Sequence, residues 1–357
     1  MTSAQPDDPR LTASAVGDRE DPCQAVISDE WRFWIAENKL LEVGDERIVS
    51  ELVRQGIEVD AAAREVRAAA QHPYFQAGEQ VAQRLRKLES VLDVRRSLAS
   101  LASDAETPER RATLSRTEFL ESYYAPNRPV ILTAIMEDWP ALARWNPAYL
   151  KEACGDAIVE IVSGRDRDPR YEINSPAHKT NIRFGDYVDL VTGGGESNDY
   201  YLVANNGFFG RPEAQRLYAD IRFFPEFLDP ANGSGRVFFW FGPAGTVTPL
   251  HHDVMNVLLA QVYGRKQITL ISPDQTPWVY NEVGVYSEVD CDNPDHRRHP
   301  LFSRVRPMRF VLQPGESLFL PVGWWHHVKA LDVSMTVTFT NFIHPNDFEW
   351  SQPHLHR

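Results

Sequence analysis

Apolar positions along this chain change their period near residue 118. Upstream they recur at the three-to-four-residue spacing of a helix. Ser28-Asp-Glu-Trp sets an N-cap serine ahead of Trp31, Trp34, Ile35 and Leu40, which predicts a helix beginning there. Val43-Gly44-Asp45 breaks the pattern, and Glu46 to Gln55, Asp60 to Ala70 and Gly78 to Leu101 resume it, the last through Val81, Leu85, Leu88, Val91 and Leu92. Residues 27–103 are therefore expected to form a module of three or four helices. Amphipathic stripes of this kind are usually core, so the module reads first as a cap or dimer contact and second as a partner- or substrate-binding platform.

Downstream the apolar residues gather in short runs between Gly and Pro turns. Pro129 to Thr133, Ile158 to Val162, Arg236 to Phe241, Val257 to Val262, Gln267 to Ile271, Met308 to Leu312, Ser317 to Leu320 and Ser334 to Phe342 all read as strands. They do not alternate with helices as a parallel sheet requires, which points to a jelly-roll barrel centred on residues 230–345. The fold class expected is mainly β with a helical extension, the β domain running over 118–345. Residues 1–26 are polar and aperiodic and are expected to be a disordered tail. Residues 104–117 are charged and small and read as a linker, and 346–357 as a short C-terminal tail.

Composition narrows the function. With 357 residues, 43% hydrophobic and 11% aromatic, the chain can bury a full core. Its 37 basic against 50 acidic side chains give a formal charge of −13, which argues against a nucleic-acid partner held through phosphates. Cys23, Cys154 and Cys291 are far apart and form no paired motif, so they read as free thiols in a reducing compartment. No basic start leads into an apolar run and no long apolar stretch occurs, so a cytoplasmic protein without a membrane partner is expected.

The most informative stretch is Thr248-Pro-Leu-His-His-Asp253. On extended backbone His251 and Asp253 project to one side and His252 to the other. Pro321-Val-Gly-Trp-Trp-His-His-Val328 can deliver a third ligand, His326 or His327, at the start of the last strands. Two histidines and one carboxylate on one face of an octahedron leave positions open for a chelating cosubstrate and dioxygen.

Thr248-Pro-Leu-His-x-Asp253, Gln261-Val-Tyr-Gly-Arg-Lys266 and Pro321-x-Gly-Trp-Trp-His326, entered through Arg128-Pro-Val-Ile-Leu-Thr and closed at Asn341-Phe342, together resemble the cupin-8 branch of the JmjC oxygenases. This branch includes the asparaginyl hydroxylase acting on the hypoxia-inducible factor. The resemblance implies a double-stranded β-helix, a cupin-like barrel, with Fe(II) held by His251, Asp253 and His326. It implies 2-oxoglutarate held at its distal carboxylate by Lys266, Thr248 and Tyr201, with Tyr200 the competing choice, and with Asn341 near the metal and cosubstrate. Where family members often carry an asparagine six residues after the first ligand, this chain has Val257, with Asn256 one place earlier. The long C-terminal helices through which the hydroxylase dimerises have no counterpart, so a homodimer would use another surface.

By that resemblance the reaction uses dioxygen to hydroxylate a side chain of a protein or peptide, releasing succinate and carbon dioxide. A free amino acid or small natural product is the nearest alternative substrate, and a non-catalytic cupin-type binding module is the alternative of another class. Phe239, Trp240, Trp324 and Trp325 are expected to line the pocket or to be plain core. Arg170-Tyr-Glu-Ile-Asn174 and the loop from Val283 to His299 lie outside the barrel strands, where they could face a substrate. His296 and His299 read as parts of a solvated charged loop before they read as a second metal site.

Overall fold

The computed structural model describes residues 27–102, 107–204, 207–281 and 283–348. The tail expected at 1–26, Cys23 within it, and residues 349–357 lie outside the described residues. The chain divides between Ala102 and Ser103 into two compact units. Among the described residues no helix is long and apolar enough to cross a membrane.

The first unit holds α1 (Asp29–Leu40), α2 (Asp45–Arg54), α3 (Val59–Gln71) and α4 (Pro73–Ala102). Ser28 caps α1, its hydroxyl accepting from the Trp31 N–H at 3.4 Å. Ile35, Ile48, Leu52, Ala62 and Val66 close a small core between α1, α2 and α3. The apolar stripe of α4 does not join it: Val81, Leu85, Leu88 and Val91 are exposed, Leu88 at 64%. That stripe carries the spacing of a core face and does not pack into the core that α1, α2 and α3 close.

The second unit is built from β1 (Glu109–Arg111), β2 (Val130–Leu132), β3 (Ile158–Ser163), β4 (Lys179–Arg183), β5 (Tyr200–Tyr201), β6 (Val237–Gly242), β7 (Val247–His252), β8 (Val257–Tyr263), β9 (Lys266–Ile271), β10 (Met308–Leu312), β11 (Ser317–Leu320), β12 (Trp325–Ala330) and β13 (Ser334–Phe339). One sheet runs β1-β2-β11-β8-β13-β6, a second β10-β9-β12-β7, and a small third β4-β3-β5. The first two make the expected jelly roll. Its interior is packed by Ile131, Leu259 and Leu318 from one sheet against Ile268, Leu312 and Val328 from the other. The outer face of the six-stranded sheet is covered too, with Leu258, Ala260, Val337 and Phe339 packing against Phe119, Trp139 and Phe224. Burial on both faces explains why β8 and β13 read as continuous apolar runs rather than alternating ones.

Part of the stretch read as a linker is a sheet edge. Glu109, Arg110 and Arg111 pair in parallel with Val130, Ile131 and Leu132. Charged side chains on an edge strand leave main-chain pairing intact and discourage pairing with another molecule, which is why composition concealed it. Cys154 and Cys291 are buried free thiols.

Candidate metal centre

β12 organises the site because it pairs antiparallel with β7 on one side and β9 on the other. His326 stands opposite His251 in the first ladder, and residues directly opposite share a face. Their ring centroids are 4.0 Å apart. Asp253, one residue past β7, completes the group: ligand atoms of His251, Asp253 and His326 all lie within 4.8 Å of one another. The His326 Nε2 is 3.7 Å from an Asp253 carboxylate oxygen. Gly323, at φ +79° in the turn before β12, donates its N–H to the Asp253 carbonyl at 3.0 Å, so one turn fixes both ends of the trio. Alternation sends the neighbours outward, His252 lying edge-on to Trp325 at 4.7 Å, and His327 falls on that outer face as well.

Both imidazoles are oriented by carbonyls. The His251 Nδ1 is 2.8 Å from the Pro249 carbonyl oxygen and the His326 Nδ1 is 3.0 Å from that of Trp324. A carbonyl only accepts, so each Nδ1 carries the proton and each Nε2 keeps a free lone pair. Burial and the neighbouring His251 hold the His326 pKa well below its ordinary value, which keeps the ring neutral. Desolvation pushes the Asp253 carboxyl up, against the opposing pull of His251 and His252. Two inward lone pairs and one half-buried carboxylate suit a divalent metal with N and O ligands. Among the described residues this is the one group of three such side chains close enough to share an ion.

The same ladders carry the next layer. From His326 the β12–β9 register runs through Val328 opposite Ile268 to Ala330 opposite Lys266, so Lys266 shares the inner face with His326. Its Nζ donates to the Tyr201 hydroxyl at 3.1 Å. Burial lowers the Lys266 pKa to about 7. The turn before it is fixed by Gly264 at φ +69°, where a Cβ would meet the Val333 carbonyl oxygen at 2.1 Å. Arg265 then binds both carboxylate oxygens of Asp332, at 2.7 and 3.0 Å.

Thr248 lies an odd number of residues from His251, which on a regular strand would turn it to the opposite face. The β7–β12 register slips by one between His251 opposite His326 and Thr248 opposite Val328. This bulge, at Pro249-Leu250, brings Thr248 back to the inner face while Leu250 packs outside with Ile271 and Trp325. Proline is tolerated there because the bulge needs no ladder N–H.

Tyr201, not Tyr200, meets Lys266. Tyr200 turns away and donates to the Leu190 carbonyl at 3.2 Å. The Tyr201 ring lies over Gly242, where a Cβ would come within 2.6 Å of it, and beside Trp240 at 5.8 Å. Of the other aromatics singled out, Phe239 is central core, Trp324 binds Asn127 and Trp325 binds the Thr276 hydroxyl, all buried. Asn341 donates its side-chain amide to the Asp229 carbonyl at 2.8 Å and leaves its Oδ1 buried without a partner. Its hydrogen bonds tie the end of the barrel to Asp229 and involve none of the triad.

Asn256 serves the site structurally, accepting from the Val322 N–H at 2.8 Å, and Val257 is core. His299 is buried against Tyr280 at 4.8 Å rather than solvated. Both flanking loops reach the centre. Tyr286 lies across the His251 ring at 5.8 Å, and Tyr171 donates its hydroxyl to the Val247 carbonyl at 3.1 Å. Arg165, fully buried and paired with Glu172 at 2.9 Å, escaped the sequence reading because Gly-Arg-Asp-Arg resembles a solvated charge run.

Residues 116–347 match the Cupin-like domain family. The chain is similar to Lysine-specific demethylase 8 of Xenopus tropicalis, with 33% identity over 233 residues that cover 63% of this chain and 50% of that protein. It is similar to Lysine-specific demethylase 8 of Danio rerio, with 36% identity over 234 residues, 63% of this chain and 54% of that one. It also resembles tRNA wybutosine-synthesizing protein 5 of Gallus gallus, with 30% identity over 229 residues, 60% and 70% of the respective chains. The chain spans about half the length of the two demethylases. JmjC members of this family use Fe(II) and 2-oxoglutarate, and the His-Asp-His group offers the matching ligand set. A match running from 116 to 347 of 357 residues shows that the chain belongs to the Cupin-like domain family, among its JmjC-type members.

Proposed function

We propose that this chain is an Fe(II)- and 2-oxoglutarate-dependent oxygenase that hydroxylates a side chain of a protein or peptide. The observation that carries the reading is the common inner face of His251, His326, Thr248 and Lys266, set by the paired registers of β7, β12 and β9. In this reading His251, Asp253 and His326 hold the iron, which when bound supplies dioxygen activation coupled to conversion of 2-oxoglutarate to succinate and carbon dioxide.

The chain's own residues bind and exclude. The Lys266 ammonium and Tyr201 hydroxyl offer charge-assisted donors to the distal carboxylate from a buried position, with Thr248 as a further hydroxyl. Tyr286 covers one side of His251 and limits water at the metal. Tyr171, Glu172 and Tyr286 come from loops outside the barrel, the place where a peptide strand can approach. The similarity to lysine demethylases supports a protein substrate.

The test is the anaerobic visible spectrum of the full chain with Fe(II), before and after 2-oxoglutarate. A metal-to-ligand charge-transfer band that requires 2-oxoglutarate and disappears in His251→Ala is expected. Iron-loaded, folded protein that gives no band would leave a cupin-type binding module as the better description.

A further inference from the structure

We infer that Arg165 is a positioning residue for the cosubstrate pocket: its guanidinium, set between the rings of Tyr171 and Tyr201, fixes the hydroxyl that meets Lys266 and the β7 edge that carries Thr248. This rests on the proposed function and adds to it a residue outside the motifs that led there.

The contacts converge on one buried guanidinium. The Arg165 guanidinium carbon is 4.2 Å from the Tyr171 ring centroid and 5.5 Å from that of Tyr201. Flat cations stack on aromatic faces in this way, and the attraction grows when water is excluded. One terminal nitrogen donates both to the Val247 carbonyl at 2.6 Å and to Glu172 at 2.9 Å. Val247 directly precedes Thr248, so the β7 edge beside the pocket hangs from the guanidinium and from the Tyr171 hydroxyl, which donates to the same carbonyl.

The backbone joins Arg165 and Tyr201 a second time. Gly164, at φ +76°, turns the chain after β3 so that the Arg165 N–H donates to the Asp199 carbonyl at 3.3 Å. The Asp166 N–H donates to the Asp199 side chain at 3.2 Å. Asp199 lies two residues before Tyr201, so any shift of the Arg165 turn is passed to that ring. The Arg165 Nε and its other terminal nitrogen are buried without partners. Burying a guanidinium is costly even with an ion pair, and two buried nitrogens left without hydrogen-bond partners call for a functional account.

Lysine reproduces the role only in part, because an ammonium keeps the charge but has no plane to stack on the two rings. Arg165→Met and Arg165→Lys are tested in the full chain loaded with Mn(II) under anaerobic conditions. Three affinities are compared: Mn(II), 2-oxoglutarate, and pyruvate, which has the chelating end but no distal carboxylate. The expectation is a loss of 2-oxoglutarate affinity of about tenfold or more in Arg165→Met and less in Arg165→Lys, with Mn(II) and pyruvate affinities within about twofold of the parent. Tyr171→Leu, which keeps the cation and removes one wall, should give a smaller loss of the same selectivity and serves if Arg165→Met does not fold.

A folded Arg165→Met protein that binds 2-oxoglutarate as the parent does overturns the inference, as does an equal loss for 2-oxoglutarate and pyruvate, which marks a merely structural role. If the parent binds Mn(II) but no 2-oxoglutarate, the functional reading fails instead. The crystal structure of Arg165→Met then decides: a displaced Tyr201 ring supports positioning, and a retained contact between Tyr201 and Lys266 refutes it.

Discussion

The Lys266 Nζ donates to the Tyr201 hydroxyl at 3.1 Å, and both residues are buried. Burial lowers the Lys266 pKa from 10.5 to about 7. Folding therefore disfavours the ammonium: the cost is fully present below about pH 7 and is relieved as pH rises from there toward 10.5. A bound carboxylate reverses the preference by stabilising the charged form. We predict that 2-oxoglutarate affinity is greatest below about pH 7 and falls by up to about tenfold per pH unit above it. Calorimetric titration from pH 6 to 9 in two buffers of different ionisation heat should show proton uptake on binding at the alkaline end. Lys266→Met should remove the pH dependence with the affinity while raising the melting temperature of the ligand-free protein, and an unchanged pH profile in that variant would rule out the assignment.

Gly242 is required by space. A Cβ there would lie 2.6 Å from the Tyr201 ring and 3.2 Å from a Thr246 methyl. Gly242→Ala is predicted to push the ring off Lys266, weakening 2-oxoglutarate while metal affinity holds, at a stability cost of about 1–3 kcal/mol. Denaturant unfolding and Mn(II) titration separate the two effects. Equal losses of metal and cosubstrate affinity would show general disruption of the barrel end.

Much of this site was legible in sequence because strand alternation is a strict period of two. Spacing alone puts His251 and Asp253, at i and i+2, on one side of an extended strand and offers His326 or His327 from the turn at Gly323; that these residues would hold iron came from the resemblance. Choosing His326 over His327 from residues alone was not possible; it depends on pairing with β7, a long-range register. Thr248 was legible only by resemblance, since its parity opposes that of His251 until the bulge at Pro249 restores it. Arg165 was hidden for a different reason: a charged residue in a polar run is ordinarily solvated, and only the Tyr171 and Tyr201 rings make this one interior. The stripe of α4 shows the converse, an apolar spacing that signals burial on residues that are exposed.

The triad should behave as a single unit. Each of the three proposed ligands is preset, the two imidazoles by the Pro249 and Trp324 carbonyls and Asp253 by the Gly323 N–H on its backbone. His251→Ala, Asp253→Asn and His326→Ala are each predicted to weaken Fe(II) or Mn(II) by at least about a hundredfold, beyond the range typical for residues that only support ligands. Metal at about a hundred times its dissociation constant should stabilise the parent by about 2.7 kcal/mol, visible as a raised melting temperature that chelator reverses. His252→Ala and His327→Ala, on the outer face, should keep the metal-dependent shift. A variant of His327 that lost it while His326→Ala kept it would reassign the third ligand.

Asn256 offers the sharpest test of how the barrel holds its proposed metal ligands, because its hydrogen bonds go to Val322 and Asn346 and not to them. Its side-chain oxygen accepts from the Val322 N–H at 2.8 Å, and its backbone is clamped at both N–H and C=O by Asn346, at 2.8 and 3.0 Å. Val322 sits in the turn whose next residue, Gly323, binds the Asp253 carbonyl and whose far end begins β12 at Trp325. Loss of the Asn256 acceptor leaves a main-chain N–H without its partner, at a cost of about 1–3 kcal/mol. The turn that joins Asp253 to the start of β12 then loses one of its fixed points. Asn256→Ala is therefore predicted to be destabilised by that amount and also to bind Mn(II) several-fold more weakly, and Asn256→Asp, which keeps an acceptor, should recover most of both. Destabilisation with full metal affinity would mean that the ladder between β7 and β12 alone fixes the triad, and the turn merely connects it.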